Sequence, residues 1–166
     1  MVGLDPDLWR WTVSAVASRA DMEKYVRTAL AERDAGRAIP FVIVDPRSGE
    51  VAGSTRFAAI DPQNRRMEIG WTWIGRRWQR TALNTEMKLL MLRHAFEEAD
   101  CIRVELKTDA LNERSRRAIR RLGAKEEGIL RSHMVTHTGR FRDTVYHSIL
   151  AAEWPAVLAH LEALLA

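Results

Sequence analysis

The sequence predicts an α+β fold in which a mixed, mostly antiparallel central sheet is flanked by helices. Two pairs of strand-like segments, each joined by a short turn that contains glycine, indicate hairpins near the start and near the end of the chain. Between them, two segments with apolar residues at helical spacing are separated by a strand-like run. No linker or composition shift divides the chain, so residues 1–166 are expected to form one domain.

The first half of the chain predicts one helix followed by strands. Ser18 and Asp21 form a helix start signal, apolar residues keep helical spacing to about Asp34, and Gly36 is the predicted stop. Strands are then predicted at residues 41–45, 51–59 and 66–73. Turn residues separate them, so the first two are predicted to form an antiparallel hairpin.

The second half predicts alternating helices and strands before the last hairpin. Gly123 stands where the end of a helix requires a left-handed cap. The predicted elements are a helix at about 83–99, a strand at 102–108, a helix at 112–122, strands at 127–135 and 141–150, and a helix at 155–165.

Composition and charge exclude several classes of protein. The chain is 46% hydrophobic and 29% charged, which is ordinary for a globular protein, and it has no apolar run of membrane-spanning length and no signal-peptide pattern. Its one cysteine, Cys101, excludes an internal disulfide and a cysteine-built zinc site and is expected to be buried. A net charge of +4 is too small to indicate nucleic-acid binding. A cytoplasmic protein without membrane, metal or nucleic-acid partners is expected.

The most informative segment is the polar loop that leads into the predicted helix at 83–99. The strand before it is interrupted by Gly75, and residues 78–86 run from a loop into the first helical turn. Unpaired backbone N–H groups and the positive end of the helix dipole converge at such a junction. The loop therefore predicts an anion site that fits a pyrophosphate.

Three segments resemble a known family. They are Gln79-Arg80-Thr81-Ala82-Leu83-Asn84 on the loop, Asn112-x-x-Ser115-x-x-Ala118-x-x-x-Leu122-Gly123-Ala124-x-x-Glu127-Gly128 downstream, and Glu68-Ile69-Gly70-Trp71 in the preceding strand. The chain resembles the GCN5-related N-acetyltransferase (GNAT) superfamily, and within it the branch that acetylates the N-termini of ribosomal proteins. The resemblance covers about residues 40–150. It implies acetyl-CoA as cofactor and an amine as acceptor.

The resemblance also implies where acetyl-CoA lies. The loop amides would hold the pyrophosphate, and Asn112 would bond the pantetheine arm while also capping its helix. Ser115, one helical turn later, would reach the leaving thiolate as an acid or donor, although a helix-interior serine without such a role is an equal alternative. The implied cofactor-binding residues are Trp71, Thr72, Trp73, Gln79, Arg80, Thr81, Ala82, Leu83, Asn84, Asn112 and Ser115.

Acetyl transfer also requires a base for the amine, and Glu68 is the predicted one. It alternates along its strand with Gly70 and Thr72, on the face opposite Met67, Ile69 and Trp71. A carboxylate suits an α-amine, whose pKa of about 8 is well below the value of about 10.4 for lysine. The alternative role for Glu68 is that of a surface carboxylate paired with a nearby arginine.

Other side chains near this strand leave alternatives open. The resemblance implies that a backbone N–H near Trp71 to Trp73 polarises the thioester carbonyl. For the side chains of Trp71 and Trp73, the favoured interpretation is core packing. His133 and His137, predicted to share one face of their strand, could serve as the base instead of Glu68.

Two features depart from the family's pattern. Ala82 and Asn84 stand where the signature has glycine and a second small residue, so the loop is predicted to bind in an adjusted form. Almost nothing precedes Pro6-Asp7-Leu8-Trp9, so the usual first strand is predicted to be missing, through a shortened chain or a start assigned downstream of the real one. Residues 41–45 would then form a bare sheet edge, which favours association such as a homodimer.

The predicted helix at 112–122 carries a cluster of arginines. Arg116, Arg120 and Arg121 could contact the 3′-phosphate of CoA or attract an acidic peptide, but a solvated helix face is favoured.

Two functions are predicted for the chain. The first function is an acetyl-CoA-dependent N-acetyltransferase that acts by direct transfer on a protein N-terminal α-amine or a small-molecule amine. The second is a degenerate acyltransferase scaffold that binds CoA or a protein partner without turnover.

Overall fold

The computed structural model describes residues 2–166 and has the predicted α+β architecture. Within this range, six strands form one sheet and four α-helices flank it. The strands are β1 (Ala38–Val44), β2 (Val51–Asp61), β3 (Arg66–Ile74), β4 (Arg103–Asp109), β5 (Lys125–Val135) and β6 (Phe141–Leu150). The helices are α1 (Arg19–Asp34), α2 (Leu83–Arg93), α3 (Glu113–Arg121) and α4 (Trp154–Leu165).

The sheet is open, with the strand order β1-β2-β3-β4-β6-β5. Neighbouring strands pair antiparallel except for β3 and β4, which run parallel. A parallel pair needs a crossover connection, and α2 provides it between β3 and β4. The predicted fold class is therefore confirmed.

Local sequence explains the helix boundaries. Ser18 and Asp21 form a capping box, in which the Asp21 N–H donates to Ser18 Oγ at 3.1 Å and the Ser18 N–H donates to Asp21 Oδ2 at 2.9 Å. Gly36 and Gly123 follow α1 and α3 with φ values of +71° and +94°. Gly36 is the predicted stop of its helix, and the left-handed cap predicted for Gly123 is confirmed. One π-helical turn, His94–Glu98, continues α2, so the predicted helix at 83–99 contains two kinds of helix.

Two strands begin earlier than predicted, because their pairing continues beyond the predicted residues. β1 begins at Ala38 rather than at residue 41, because Ala38 pairs with Ala58 of β2. β5 begins at Lys125 rather than at residue 127, because Lys125 pairs with Ser148 of β6. Register across the sheet, which a single strand does not reveal, decides these ends.

Apolar residues are buried on both faces of the sheet. The larger cluster lies between the sheet and α2, α3 and α4, and Cys101 belongs to it with 4% exposure, as predicted. Burial raises the pKa of that thiol. The smaller cluster lies on the other face, where α1 packs, and contains Leu8, Trp9, Val16 and Trp73.

β1 forms one edge of the sheet, as predicted for residues 41–45. Among the described residues no strand pairs with its free side, and four of its apolar side chains are exposed: Ile39, Phe41, Val42 and Val44. In the same part of the chain, residues 2–166, no helix is both long and apolar enough to cross a membrane.

Candidate active site

A cleft opens in the middle of the sheet where β3 and β4 separate. The two strands pair only from Arg66 to Glu68 on β3 and from Arg103 to Glu105 on β4. Beyond Glu68, β3 continues to Ile74 without a partner on that side among the described residues. Its backbone N–H and C=O groups are therefore free to pair with an extended, amide-containing molecule.

A β-bulge distorts β3 beside this cleft. Thr55 of β2 faces two residues of β3, Trp71 and Thr72, and Trp71 has a φ of +50°. The bulge changes the alternation on which the predicted faces depend. Core packing is consequently wrong for Trp71, which is 38% exposed, whereas it is confirmed for Trp73, which is 9% exposed.

The same bulge turns Thr72 away from the side predicted for it. Thr72 was expected to share a face with Glu68, but its Oγ1 lies 3.1 Å from Nζ of Lys88 on α2 and 2.8 Å from Oγ1 of Thr55. The hydroxyl therefore links the bulge to the helix that crosses behind the sheet.

The loop before α2 presents backbone amides without helical partners. The first backbone bond of the helix runs from the Glu86 N–H to the Ala82 carbonyl at 2.9 Å, so the preceding amides need acceptors outside the helix. Thr81 Oγ1 accepts from one of them, the Leu83 N–H, at 3.3 Å. The others are available to an anion at the positive end of the helix dipole.

The loop achieves its turn without the signature glycine. Ala82 has an ordinary helical conformation, with φ of −62°, and Asn84 lies within the first turn of α2. The left-handed residue is Arg80, with φ of +63°. The two departures therefore fall at positions where the backbone of this chain does not need glycine's conformational freedom.

Gln79 fastens the loop to both neighbouring elements. Its Nε2 donates to the Ile74 carbonyl at the end of β3 at 2.8 Å, and its Oε1 accepts from Nη1 of Arg114 on α3 at 2.9 Å. Strand end, loop and α3 thus hold a fixed arrangement around the start of α2.

Asn112 and Ser115 lie at the start of α3. Asn112 Oδ1 accepts from the Ser115 N–H at 3.1 Å, so the predicted N-cap role of Asn112 is confirmed. Both side chains are half-buried. Because the cap uses Oδ1, the amide group Nδ2 is the part of Asn112 that remains for a ligand.

Glu68 is a buried, ion-paired carboxylate at the point where the strands separate. It is 3% exposed, and its Oε2 lies 2.8 Å from Nζ of Lys107 on β4. Burial opposes the charge of Lys107, but the Glu68 carboxylate outweighs it and raises the pKa of Lys107. The surface pair with an arginine considered for Glu68 is thus wrong in location and partner, because the pair is interior and its cation is Lys107.

Tyr146 and His133 lie between the Glu68–Lys107 ion pair and the surface. Lys107 Nζ lies 5.6 Å from the centre of the Tyr146 ring, and the Tyr146 and His133 rings are 5.7 Å apart in an edge-on arrangement. His133 is exposed. The prediction that His137 shares its strand face is wrong, because β5 ends at Val135 and His137 lies in the following turn, with Nδ1 3.2 Å from the Thr12 carbonyl.

The charged face is the name we give to the sheet face that bears Glu68. Arg56 pairs in register with Gly70, whose missing Cβ would lie 2.6 Å from Glu68 Oε1, so Arg56 and Glu68 share this face. Lys107 pairs in register with Tyr146, and alternate residues of β6 continue on the same side. The residues of the charged face are Arg56, Glu68, Lys107, Asp109, Arg142, Thr144 and Tyr146.

Lys88 approaches the bulge from the opposite side of the sheet. It is 5% exposed, and burial lowers its pKa to about 7, an effect that the charge of Glu68 partly offsets. Sequence reasoning missed Lys88, Lys107, Arg56 and Arg142. A signal existed for Lys88, because apolar residues lie three and four positions after it in a predicted helix. None marked Lys107 or Arg142, because the residues two positions away on their strands are polar.

The arginines of α3 divide into two groups. Arg116 and Arg120 form ion pairs with Glu126 at 3.3 and 3.2 Å. The solvated interpretation is confirmed for Arg120, whose side chain is exposed, and is wrong for Arg116, whose side chain is mostly buried. Arg121 instead donates through Nη2 to Thr85 Oγ1 in the first turn of α2. A cation is therefore placed beside the free amides of that helix.

The sequence matches a family and a curated relative. A protein-family model described as "Acetyltransferase (GNAT) domain" matches residues 2–125. YdaF of Bacillus subtilis (strain 168), named as a candidate ribosomal N-acetyltransferase, is 33% identical over 106 residues. That match spans 64% of this chain and 57% of YdaF, so the chain corresponds to little more than half the length of this relative.

Solved structures share the fold over nearly the whole chain. A GCN5-related N-acetyltransferase from Brucella melitensis is 34% identical with a TM-score of 0.91, and the match covers 99% of this chain and 73% of that one. RimJ from Mycobacterium smegmatis, solved in complex with CoA-disulfide, is 24% identical with a TM-score of 0.77 and coverage of 94% and 76%. The RimJ likeness is evidence for the fold alone.

Proposed function

The chain belongs to the GNAT acetyltransferase family, and we propose that it transfers an acetyl group from acetyl-CoA directly to a primary amine. One observation carries this proposal: an unpaired length of β3 and the free amides at the start of α2 meet at a single cleft. Acetyl-CoA has an anionic pyrophosphate joined to an arm of amide groups, and these two surfaces match its two parts.

The residues present fit this molecule. The free amides among residues 80–84 are proposed to hold the pyrophosphate, with Arg121 adding a charge, and the free backbone groups of residues 69–73 are proposed to pair with the pantetheine arm. Asn112 Nδ2 is proposed to donate to the same arm. When bound, acetyl-CoA supplies the activated acetyl thioester, whose carbonyl oxygen would be placed near backbone N–H groups of the bulge.

Glu68 is proposed to receive the proton of the acceptor amine, directly or through a water molecule. Lys107 keeps this carboxylate in an ion pair at the inner end of the cleft, where an amine must approach the thioester. Ser115 is proposed to donate a hydrogen bond to the thiolate that leaves. His133 is the second candidate for the base, because its ring is exposed beside Tyr146 on the same side of the sheet.

A protein N-terminal α-amine is the proposed acceptor, with a small-molecule amine as the alternative. The name of YdaF supports the first, since it refers to ribosomal N-acetylation. The lower pKa of an α-amine supports it too, because a larger fraction is already deprotonated near neutral pH than for a lysine side chain.

Binding and turnover measured separately test the proposal. Titration calorimetry with acetyl-CoA is expected to show one site per chain. Thiol release is expected with peptides that carry the N-terminal sequences of ribosomal proteins, or with members of a panel of small amines. Glu105→Gln is the matched control for a Glu68→Gln variant. Glu105 faces Glu68 in register, but it pairs with Arg103 and Arg66 away from the cleft. Binding without thiol release on any amine would favour a scaffold, and no binding would overturn both functions.

A further inference from the structure

The charged face holds more positive than negative groups. Both of its carboxylates are already paired: Glu68 pairs with Lys107 at 2.8 Å, and Asp109 pairs with Arg140, which lies outside the face in the turn before β6. Arg56 and Arg142 remain, and neither forms an ion pair within the described residues 2–166. The face therefore carries two unneutralised guanidinium groups.

Arg56 is buried without an acceptor for its Nε. Its exposure is 5%, and no atom of residues 2–166 accepts a hydrogen bond from this nitrogen. Its guanidinium carbon lies 4.7 Å from the centre of the Tyr25 ring and 5.5 Å from that of the half-exposed Trp71. Aromatic stacking of this kind fixes the orientation of the guanidinium but leaves its hydrogen-bond donors unused.

Arg142 is in a similar position on β6. Its exposure is 7%, and its Nε likewise has no acceptor in the described part of the chain. Burial lowers the pKa of Arg142 despite the charges of Asp109 and Glu68, which are already paired with other cations. The buried hydroxyl of Thr144, two residues further along the same face, also lacks a partner there.

Two buried, unpaired guanidinium groups are costly to a folded protein. Removing a charged group from water without a compensating partner is unfavourable, and buried charges are normally paired. Guanidinium groups are the preferred protein partners of carboxylates, to which they donate two parallel hydrogen bonds. An anionic ligand on this face would supply the partners that the chain itself does not.

We propose that the acceptor carries carboxylate groups close to its amine and that Arg56 and Arg142 bind them. The two arginines stand on β2 and β6, on opposite sides of the Glu68–Lys107 pair, so an acceptor amine at Glu68 would lie between them. Three strand spacings, of which the one between β3 and β4 is widened by the cleft, place the two backbones more than about 14 Å apart, which favours an acidic peptide over a single small dicarboxylate. This inference rests on the proposed function, because it concerns the acceptor of that reaction.

Matched acceptors test the inference. We would compare kcat/KM for a peptide that begins Ser-Asp-Glu with that for its neutral counterpart Ser-Asn-Gln, and for aspartate with that for asparagine. Because both members of a pair are assayed on one enzyme preparation, their ratio does not depend on the fraction of active protein. The wild-type ratio is expected to be about tenfold or more in favour of the acidic peptide, which corresponds to one charge-assisted hydrogen bond or more.

Variants assign the ratio to these arginines. Arg56→Gln and Arg142→Gln are each expected to lower the ratio several-fold, and the double variant is expected to bring it close to one. Arg27→Gln, which removes a mostly exposed arginine of α1, is the control and should leave the ratio unchanged. A wild-type ratio near one, or a ratio that survives in the double variant, would overturn the inference while the proposed function stands.

A binding measurement separates this inference from failure of the proposed function. If the wild type releases no thiol with any amine, the proposed function fails, and calorimetric titration of both peptides in the presence of CoA then decides the inference. Tighter binding of the acidic peptide that is lost in the double variant would support it, and equal binding would overturn it. A larger ratio for aspartate than for the acidic peptide would identify a small dicarboxylate as the source of the anion.

Discussion

The two sides of the cleft between β3 and β4 are built from different chemical groups. On the side of α2 and α3, the groups offered to a ligand are mainly backbone amides of the loop at residues 80–84 and of the unpaired part of β3. On the charged face they are side chains from β2, β3, β4 and β6. A backbone site depends on local conformation, whereas a side-chain site depends on the register of several strands.

The difference has an energetic consequence. Backbone amides at a helix start are uncharged and cost little while they await a ligand, because water can serve them. Buried charges such as Glu68 and Lys107 exclude water and depend on each other, so removing one leaves the other uncompensated. Substitutions are therefore expected to have large effects on the charged face and small effects on the loop side.

The largest effect is expected for Glu68→Gln. Loss of the base should lower kcat by about 10²- to 10⁴-fold, while the Kd for acetyl-CoA should change little because the loop side is intact. Rates should be referred to the concentration of CoA-binding sites measured by titration, since the variant leaves Lys107 unpaired and is expected to be less stable.

A pH profile identifies the base. His133→Asn in the wild-type background should leave the profile unchanged if Glu68 receives the proton. If His133→Asn instead loses the acidic limb of the pH–rate profile and Glu68→Gln keeps the wild-type kcat, then His133 is the base. The charged face would then contribute less to catalysis than we expect.

Lys88→Met is expected to stabilise the protein at low pH. Burial lowers the folded-state pKa of Lys88 to about 7 from 10.5, so below pH 7 folding must bury a charged ammonium. Between these two values the unfolded chain binds more protons, and wild-type stability should rise with pH. The variant should gain roughly 5 kcal/mol at pH 6, and the gain should fade towards pH 10.

Urea unfolding of both proteins at pH 6 and pH 10 measures this difference. Lys24→Met, which changes an exposed lysine of α1, is the control and should show no such pH dependence. A gain that is equal at both pH values would mean that Lys88 is not buried as a neutral amine. Buried charge would then cost this protein less stability than we expect.

The loop side could be predicted from the sequence because its determinants are local. A strand, a polar loop and an amphipathic helix follow one another along residues 66–99, and their junction exposes amides whatever packs around it. The N-cap at Asn112 and the left-handed Gly123 follow from residue type in the same way. What the sequence did not show is that Arg80, rather than residue 82, takes the left-handed conformation.

The charged face could not be predicted in this way, because its residues meet only through register. Arg56 and Arg142 are 86 positions apart in the chain and are placed on one face by pairing across four strands. The face predicted for Trp71 and Thr72 was wrong, because one extra residue in β3 at the bulge reverses the alternation. A bulge has no reliable single-sequence signal, so the error could not have been found without the structure.

A smaller effect is expected at Asn112, where two roles can be separated. Asn112→Ala should cost about 1 kcal/mol of stability through the lost cap, whereas Asn112→Asp should keep the cap. Both variants lack the Nδ2 donor, so both should raise the Kd for CoA by about fivefold if Asn112 bonds the pantetheine arm. Thermal unfolding and calorimetry measure the two properties, and an unchanged Kd in Asn112→Asp would leave this residue with the cap alone.

The smallest effects are expected from the arginines of α3, and they test how far charge matters on the loop side. Arg121→Gln removes the cation that donates to Thr85, and should raise the Kd for CoA by about threefold to tenfold at low salt. Arg120→Gln breaks an exposed ion pair with Glu126 and should change the Kd by less than about twofold. Dephospho-CoA distinguishes the phosphate involved: because Thr85 lies at the start of α2, the effect of Arg121→Gln should persist with it, whereas its disappearance would assign Arg121 to the 3′-phosphate.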